Sequence, residues 1–297
     1  MENKTKAHLA LLATNIFFAI NFTAVKYLIN HGLAKPFGLN LIRVAVTAAS
    51  LWLIFLFKQQ RTIIHKKDMA RFFLCALSGI AINQLLFIKG LSLTYSIHAS
   101  LLMLTTPILI TFIASWFLKE RLNSYKLSGL ILGITGAAIL IAARDVTGNP
   151  TDVFWGDILV IINAVSYTIY FILVKPLMRE YNPITVIRMI FSIGFFIILP
   201  FCWKEFSEVP WHAYNLMNSF ILGLVVFGGT FCAYLFNVYG IKILGASTAG
   251  TYIYSQPFFA AAIAMIFLGE QLSIYKIIAA LFIFSGVYLA TKITTHA

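Results

Sequence analysis

The sequence predicts an all-α membrane protein with ten transmembrane helices, arranged as two inverted repeats of five helices each. Three observations lead to this fold class. Hydrophobic residues make up 60% of the 297 residues and charged residues only 11%, whereas soluble domains carry about 25% charged residues. The chain contains ten apolar stretches long enough to cross a bilayer, and its two halves resemble each other. Because each half has an odd number of spans, the second copy enters the membrane from the opposite side.

Each predicted span is about 20 residues long, which suits the ~30 Å hydrocarbon core of a bilayer. In chain order, spans 1 to 10 cover approximately residues 7–29, 37–57, 70–91, 97–118, 126–143, 154–177, 184–203, 217–240, 246–268 and 274–292. Spans 1 to 5 form the first repeat, residues 1–145, and spans 6 to 10 form the second, residues 152–297. Span 1 has no small-residue cleavage site, so it is expected to be a permanent helix and not a signal peptide.

The repeat is visible as identical residues at a constant spacing along the two halves. The matched pairs are Gly79 and Gly229, Gly90 and Gly240, Pro107 and Pro257, Glu120 and Glu270, and Gly136 and Gly286. Inverted repeats of this kind are typical of secondary transporters, which hold their substrate near the bilayer midplane between the halves.

The net charge of +12 is interpreted as membrane topology. With both termini in the cytoplasm, most of the 22 lysines and arginines fall on the cytoplasmic side, as the positive-inside rule requires. The densest basic loop, 58–71, is then cytoplasmic and suited to anionic lipid headgroups, and the loop 144–151 is outside. No nucleic-acid partner is expected, since the basic loop has no interleaved aromatic residues. The predicted location is the bacterial inner membrane, as a monomer, with a homodimer left open.

Three motifs carry a resemblance to a known family. The first is the opening helix, residues 15–22, followed by Lys26 and by Arg43 in the next span. The second runs from residues 99–102 through Thr106-Pro107 to residues 117–122, and the third is its copy, from residues 249–252 through Gln256-Pro257 to residues 267–272. On these motifs the chain resembles the EamA-type members of the drug/metabolite transporter superfamily over nearly its whole length.

The resemblance implies a ten-helix bundle and transport of a small organic solute, but it does not name the solute. Export of amino acids or related metabolites is the favoured function, and uptake of a vitamin, nucleoside or phosphorylated metabolite is the alternative. A membrane enzyme or a structural, lipid-scrambling protein is the alternative of another class. Neither catalysis nor a cofactor or metal is expected, because the sequence lacks a phosphate-binding glycine loop, metal-ligand spacing and a catalytic set at one depth.

Four basic residues fall within or close to spans, and charges there are usually functional. Lys26 and Arg43 in the first half correspond to Lys175 and Arg188 in the second. The lysines either extend to the headgroups or reach the interior. The arginines either lock span 1 against span 2 and span 6 against span 7, or contact the solute directly.

Acidic residues are absent from the predicted mid-membrane positions. This pattern favours a neutral, zwitterionic or anionic solute over a lipophilic cation. Asp157 is placed near the outer surface. Glu120 and Glu270 follow spans 4 and 9, and each is expected to cap the next helix or to pair with Lys126 or Lys276.

Uncharged polar residues near mid-depth form the candidate substrate site. They either bond neighbouring helices or line an aqueous cavity, with Phe22 and Phe87 as further aromatic walls. The polar and tyrosine positions are Asn15, Asn83, Gln84, Thr105, Tyr167, Tyr170, Tyr234, Asn237, Tyr252, Ser255 and Gln256.

Two prolines and one histidine complete the candidate residues. Pro107 and Pro257 lie mid-span at matching places, and each should free the carbonyl four residues earlier, that of Met103 or Ile253. Each is expected to be either a hinge at the midplane or a static packing kink. His98, at the outer start of span 4, either lies at the headgroups or couples transport to protons, since the reference pKa of histidine is about 6.5.

Overall fold

A computed structural model describes residues 2–58, 64–117, 124–142 and 151–292, and within these ranges the chain is helical without β-strands. The α-helices are α1 Glu2–Asn30, α2 Pro36–Lys58, α3 Met69–Ala76, α4 Asn83–Leu93, α5 Ser96–Met103, α6 Thr105–Phe117, α7 Ser124–Ala142, α8 Val153–Glu180, α9 Pro183–Ser207, α10 Leu216–Gly223, α11 Ala233–Ile253, α12 Gln256–Leu268 and α13 Ile274–Lys292. Apolar side chains cover much of the bundle's exterior, as expected of a surface that faces lipid.

Within the described residues, six helical stretches are long and apolar enough to cross a membrane, and they correspond to predicted spans 1, 2, 3, 6, 7 and 8. Spans 4, 5, 9 and 10 correspond to shorter apolar helices. The membrane-protein class is therefore confirmed, while the number of ten crossings and the inverted relation of the halves stay predictions.

Helices of the first half pack mainly on helices of the second. The principal pairs are α1 with α11 and α12, α2 with α9, α4 with α8, and α7 with α13. In the last pair, Gly136 packs against the carbonyl of Ala279 and against Ile283, and Gly286 packs against the backbone of Gly129. The glycines of span 5 therefore pack against span 10 of the same chain.

The helix interruptions expected near Pro107 and Pro257 are present in both halves. Helix α5 ends at Met103 and α6 begins two residues later; α11 ends at Ile253 and α12 begins at Gln256. Each proline lies in the first turn of the helix that follows, where its missing N–H has no intrahelical partner to lose.

A second paired feature is a wide helical turn that the sequence analysis did not predict. Leu77–Ile82 and Leu224–Cys232 both form π-helix, between α3 and α4 and between α10 and α11. Both segments contain one of the repeated glycines, Gly79 or Gly229. Since π-turns are rare and occur frequently at functional sites, their position draws attention to the residues beside them.

The predicted spans 8 and 9 leave residues 241–245 outside the helices, and this prediction is wrong. Helix α11 continues through these residues, because this stretch has no proline and no polar run to end the backbone hydrogen bonding. Gly240 packs against Leu11, and the Tyr252 hydroxyl lies 2.7 Å from Nδ1 of His8, so α11 follows α1 at both points.

Candidate functional site

Tyr234 lies at the centre of an aromatic and polar cluster between the two halves. The rings of Phe18 and Phe191 meet it edge-on, with ring centroids 6.3 and 5.2 Å away. Its hydroxyl lies beside the guanidinium of Arg43 and the amide of Gln84. The name central cluster is used below for Arg43, Gln84, Tyr167, Tyr170 and Tyr234, residues that come from α2, α4, α8 and α11.

Arg43 reaches across to the second half of the chain. Its Nε donates to the hydroxyl of Thr230 at 3.0 Å, and its Nη1 has no hydrogen-bond partner. Thr230 in turn donates to the carbonyl of Val225, five residues earlier, as the π-turn allows. The expected lock between spans 1 and 2 is therefore wrong: Arg43 binds span 8. Thr230 was missed, although it follows directly on the repeated Gly229.

Gln84 is buried, and its amide lies beside the Tyr234 hydroxyl, the group with which it interacts. No other hydrogen-bond partner for either amide atom lies among the described residues. Gln84 is the second residue after the first π-helix. A buried amide costs free energy when its hydrogen-bonding capacity is not filled, so this side chain is a candidate for contact with a solute.

Tyr167 and Tyr170 form the aromatic wall of the central cluster. Their ring centroids are 5.7 Å apart, and both rings are partly exposed although they lie deep in the bundle. Tyr170 lies directly against Gly79, where a Cβ atom would come within 2.5 Å of the ring. The glycine in the first π-helix therefore makes room for this tyrosine.

Phe22 and Phe87 lie together, but away from the tyrosines. Their centroids are 5.4 Å apart at an interplanar angle of 73°. They belong to the apolar cluster around α1, α5 and α12, whereas Tyr170 and Tyr234 belong to the cluster around α2 and α9. The structure thus does not bring these phenylalanines into the same wall.

Several of the predicted polar residues form bonds between helices. Asn83 on α4 and Asn163 on α8 each donate a side-chain N–H to the other's carbonyl, at 3.3 and 2.7 Å. Gln256 donates to the amide oxygen of Asn15 at 2.7 Å and so joins α12 to α1. These contacts hold the halves together. They correspond to the first of the two predicted roles of the polar residues, which is to bond neighbouring helices.

The remaining members of the polar set bond locally or lie at the periphery. Thr105 and Ser255 donate to carbonyls of their own chain segment, at Leu102 and Tyr252. The Tyr252 hydroxyl lies 2.7 Å from Nδ1 of His8 on α1. Asn237 is partly exposed, one turn after Tyr234. None of these four shares a recorded contact with the central cluster in the described part of the chain.

A second group of polar residues, here named the ionic cluster, consists of Lys26, His98, Asp157, Glu270 and Lys276. All five side chains are at least nine-tenths buried. They gather where α1 and α4 end and α5, α8 and α13 begin, the predicted outer end of the molecule. No group of three acidic, histidine or cysteine side chains in the described ranges is placed to hold a metal ion.

Asp157 and His98 form the fully buried pair of this cluster. Nδ1 of His98 lies 3.0 Å from one carboxylate oxygen of Asp157, and the Thr94 hydroxyl donates to the other oxygen. The sequence analysis placed both residues at the outer ends of their spans, and the ionic cluster lies at that predicted end. Exposure of His98 to the headgroups is not seen, because α5 and α8 cover the pair.

Glu270 caps a helix that is distant in the sequence. Its two oxygens accept the N–H groups of Ser96 and Ile97, the first residues of α5, at 2.7 and 3.0 Å. The carboxylate also lies 3.9 Å from Nζ of Lys26. The expected partners, the next helix or Lys276, are thus wrong for Glu270. The equivalent Glu120 and its role lie outside the described residues.

The two lysines of the ionic cluster share one tyrosine. Lys26 donates to the Thr94 carbonyl and lies 5.4 Å from the centre of the Tyr95 ring. Lys276 lies 4.6 Å from the same ring and donates to the Gln271 carbonyl at 2.7 Å. The headgroup alternative for Lys26 is therefore wrong.

The counterparts of Lys26 and Arg43 in the second half behave differently. Lys175 is exposed, so its prediction as a buried cation is wrong and the headgroup alternative holds. Arg188 is buried and stacks on Phe55 and Trp52 of α2, with its Cζ 3.6 and 4.6 Å from the ring centres. It therefore packs span 7 on span 2 and not on span 6.

An exposed ion pair lies beyond the spans at the same end as the ionic cluster. Lys35 donates to Glu208, and this hydrogen bond together with the positive charge holds the pKa of the Glu208 carboxyl below its ordinary value. Both side chains are open to solvent. Exposed pairs are screened by salt and contribute little, so this pair differs in kind from the buried cluster.

The apolar cavity between α6, α7 and α8 is distant from this chemistry. It holds about 250 Å³ and is lined by Thr105, Ile108 and Gly133 among others. Its lining is almost entirely apolar, so it offers a solute little polar recognition. The central cluster is the better candidate site, since it combines partly exposed aromatic rings with unpaired polar groups.

A helical bundle that is apolar outside and carries polar and charged groups between its two halves is typical of a polytopic membrane protein. The chain belongs to the EamA-like transporter family, whose profile matches residues 5–142 and again residues 154–292. The resemblance to EamA-type drug/metabolite transporters inferred from the motifs is thus confirmed, with two EamA repeats along the chain.

Relatives of nearly full length support this assignment. An uncharacterized transporter of Archaeoglobus fulgidus is 24% identical over 97% of this chain and 98% of its own length. The uncharacterized transporter YoaV of Bacillus subtilis is 24% identical over 96% and 97%, and the Arabidopsis thaliana protein WALLS ARE THIN 1 is 25% identical over 97% and 83%. A solved crystal structure covering 95% of both chains has a TM-score of 0.62 at 16% identity, which shows a common fold.

Proposed function

We propose that this chain is a secondary transporter that exports amino acids or related metabolites across the bacterial inner membrane by alternating access. The observation that carries the proposal is the central cluster. It places a guanidinium whose Nη1 has no hydrogen-bond partner, a buried amide and two partly exposed tyrosines deep between the two halves. Sites of this kind, near the midplane and between repeats, are where secondary transporters bind their solutes.

In such a transport cycle, the ionic cluster closes one end of the solute pathway. It joins α5 to α8 through His98 and Asp157, α1 to the segment before α13 through Lys26 and Glu270, and α13 to Tyr95 through Lys276. Opening that end requires these contacts to separate. The paired interruptions before Pro107 and Pro257 supply candidate hinges. The buried His98–Asp157 pair is the candidate for proton coupling, since a histidine can exchange a proton near neutral pH.

Flux into proteoliposomes tests the proposal directly. Purified protein should move labelled amino acids down a gradient, and Tyr234→Phe and Gln84→Ala should lower the rate about tenfold because each removes a polar contact with the solute. Tyr239→Phe, on the exposed side of the same helix, should leave the rate unchanged. Equal rates for Tyr234→Phe, Gln84→Ala and the parent would exclude the central cluster as the solute site.

A further inference from the structure

We propose that Arg43, Gln84 and Tyr234 bind a carboxylate group, so that the solute is a small organic acid or amino acid with an apolar side chain. This inference rests on the proposed function, because it assigns a chemical class to the solute of the same central cluster.

The first step is the uncompensated charge of Arg43. The side chain lies within a membrane span and is 4% exposed, and it makes one hydrogen bond, from Nε to a neutral hydroxyl. Among the described residues no carboxylate forms an ion pair with it, and Tyr234 is the titratable group that faces it. An unpaired buried cation is costly. Its presence is explained if an anion occupies the site during the transport cycle.

The ionic cluster provides the contrast within the same molecule. There the cations face carboxylates: Lys26 lies 3.9 Å from Glu270, and Asp157 adds its negative charge to the surroundings of Lys26. Charge balance in that cluster is supplied by the protein itself. Among the described residues no carboxylate supplies this balance for Arg43, and a bound anion would supply it.

The groups around Arg43 suit a carboxylate. The guanidinium offers N–H groups in one plane, which match two carboxylate oxygens. The amide of Gln84 and the hydroxyl of Tyr234 lie next to one another, and each provides a further donor to the same group. Beside Tyr234, no partner for the Gln84 amide lies among the described residues, so one N–H group of that amide can donate to an anion.

The aromatic side chains around the central cluster indicate which groups the solute carries besides its carboxylate. Tyr167 and Tyr170 present partly exposed rings, and Phe18 and Phe191 pack around Tyr234. Such surfaces accept an aliphatic or aromatic side chain. An amino group has no carboxylate to meet here in the described residues, so the amine of an amino acid is tolerated and not required.

Matched acids and amides test the inference on the purified full-length protein. The probes are L-leucine, L-phenylalanine and 3-phenylpropionate, each beside its carboxamide, with thermal unfolding as the readout because stabilisation follows affinity. The acids should raise the midpoint and the amides should not. Equal stabilisation by acids and amides, or no stabilisation by any acid, would overturn the inference.

Arg43→Met and Arg188→Met form a matched pair of variants. Arg43→Met should bind the acids about 10- to 100-fold more weakly, while its midpoint without ligand stays equal or rises, because an unpaired charge has been removed. Arg188→Met removes the other buried arginine, which stacks on Phe55 and Trp52, and should bind like the parent because Arg188 lies outside the central cluster. A lower midpoint for ligand-free Arg43→Met, with acid binding retained, would show a structural arginine and overturn the inference.

Flux measurements separate this inference from the proposed function. Wild-type protein that binds acids but moves no solute in proteoliposomes would refute transport and leave the carboxylate site in place. Wild-type protein that moves the amides as fast as the acids would refute the carboxylate site and leave transport in place.

Discussion

Lys26 and Lys175 occupy equivalent positions in the two repeats, yet their environments are opposite. Lys26 is 5% exposed and lies against Thr94 and Glu270, whereas Lys175 is exposed on α8. The same residue in the same motif is thus an interior contact at one end of the bundle and a surface group at the other. The comparison shows that equivalent positions in the two repeats can differ completely in their burial and in their contacts.

The neighbours of the two lysines explain part of this difference. Asp157, whose charge acts on Lys26, is matched in the first repeat by His8, which contacts Tyr252 and carries no carboxylate. Sequence divergence between the repeats has therefore replaced the carboxylate of Asp157 by the imidazole of His8. On the proposed alternating-access cycle, the end that holds the ionic cluster would be the closed one.

The largest effect is expected from Glu270→Gln, which removes the charge between the halves. Lys26 then stays buried without its nearest carboxylate, and removing one partner of a buried pair costs about 3–5 kcal/mol. This loss of stability concerns only the end that holds the ionic cluster, where the Ser96 N–H donates to Glu270. A cysteine introduced at Ser96 should therefore react faster with an impermeant thiol reagent in this variant. Unchanged labelling and an unchanged unfolding midpoint would mean that the ionic cluster does not hold this end closed.

A smaller effect is expected from Lys26→Met, and none from the matched Lys175→Met. The first substitution leaves Glu270 with its two N–H donors from α5, so a stability loss of about 1–2 kcal/mol is expected, together with slower flux. Lys175→Met changes an exposed side chain and should leave both quantities at the parent level. Equal losses in both variants would remove the distinction between the two ends.

The smallest effect on stability is expected from the Pro107→Ala, Pro257→Ala double variant. Both prolines lie in the first turn of a helix, where they remove no intrahelical bond, so the unfolding midpoint should stay within a few degrees of the parent. If the interruptions at Leu104 and Tyr254 are hinges, alanine should let the helix continue and slow the flux severalfold. Parent-like flux would show that both kinks are static.

The sequence was sufficient for the membrane-protein class, the duplicated family pattern and the helix interruptions, because these depend on local composition and on proline geometry. It could not show which polar groups meet. Arg43 binds Thr230, and Glu270 caps α5, each across more than 170 residues of chain. Such pairings depend on how each helix is rotated about its axis. Lys175 was misplaced for a related reason, since repeat symmetry predicts a position but not its exposure.

The π-turns at Leu77–Ile82 and Leu224–Cys232 carry a consequence for the history of the chain. A π-turn adds one residue to a helix that otherwise keeps its register, and both turns contain the repeated glycine. One insertion in an ancestral single-copy gene, followed by duplication, accounts for both with fewer events than two separate insertions. On that history the widened turn is older than the two-repeat protein. Homologues with a single repeat would then carry one glycine-containing π-turn in the corresponding helix.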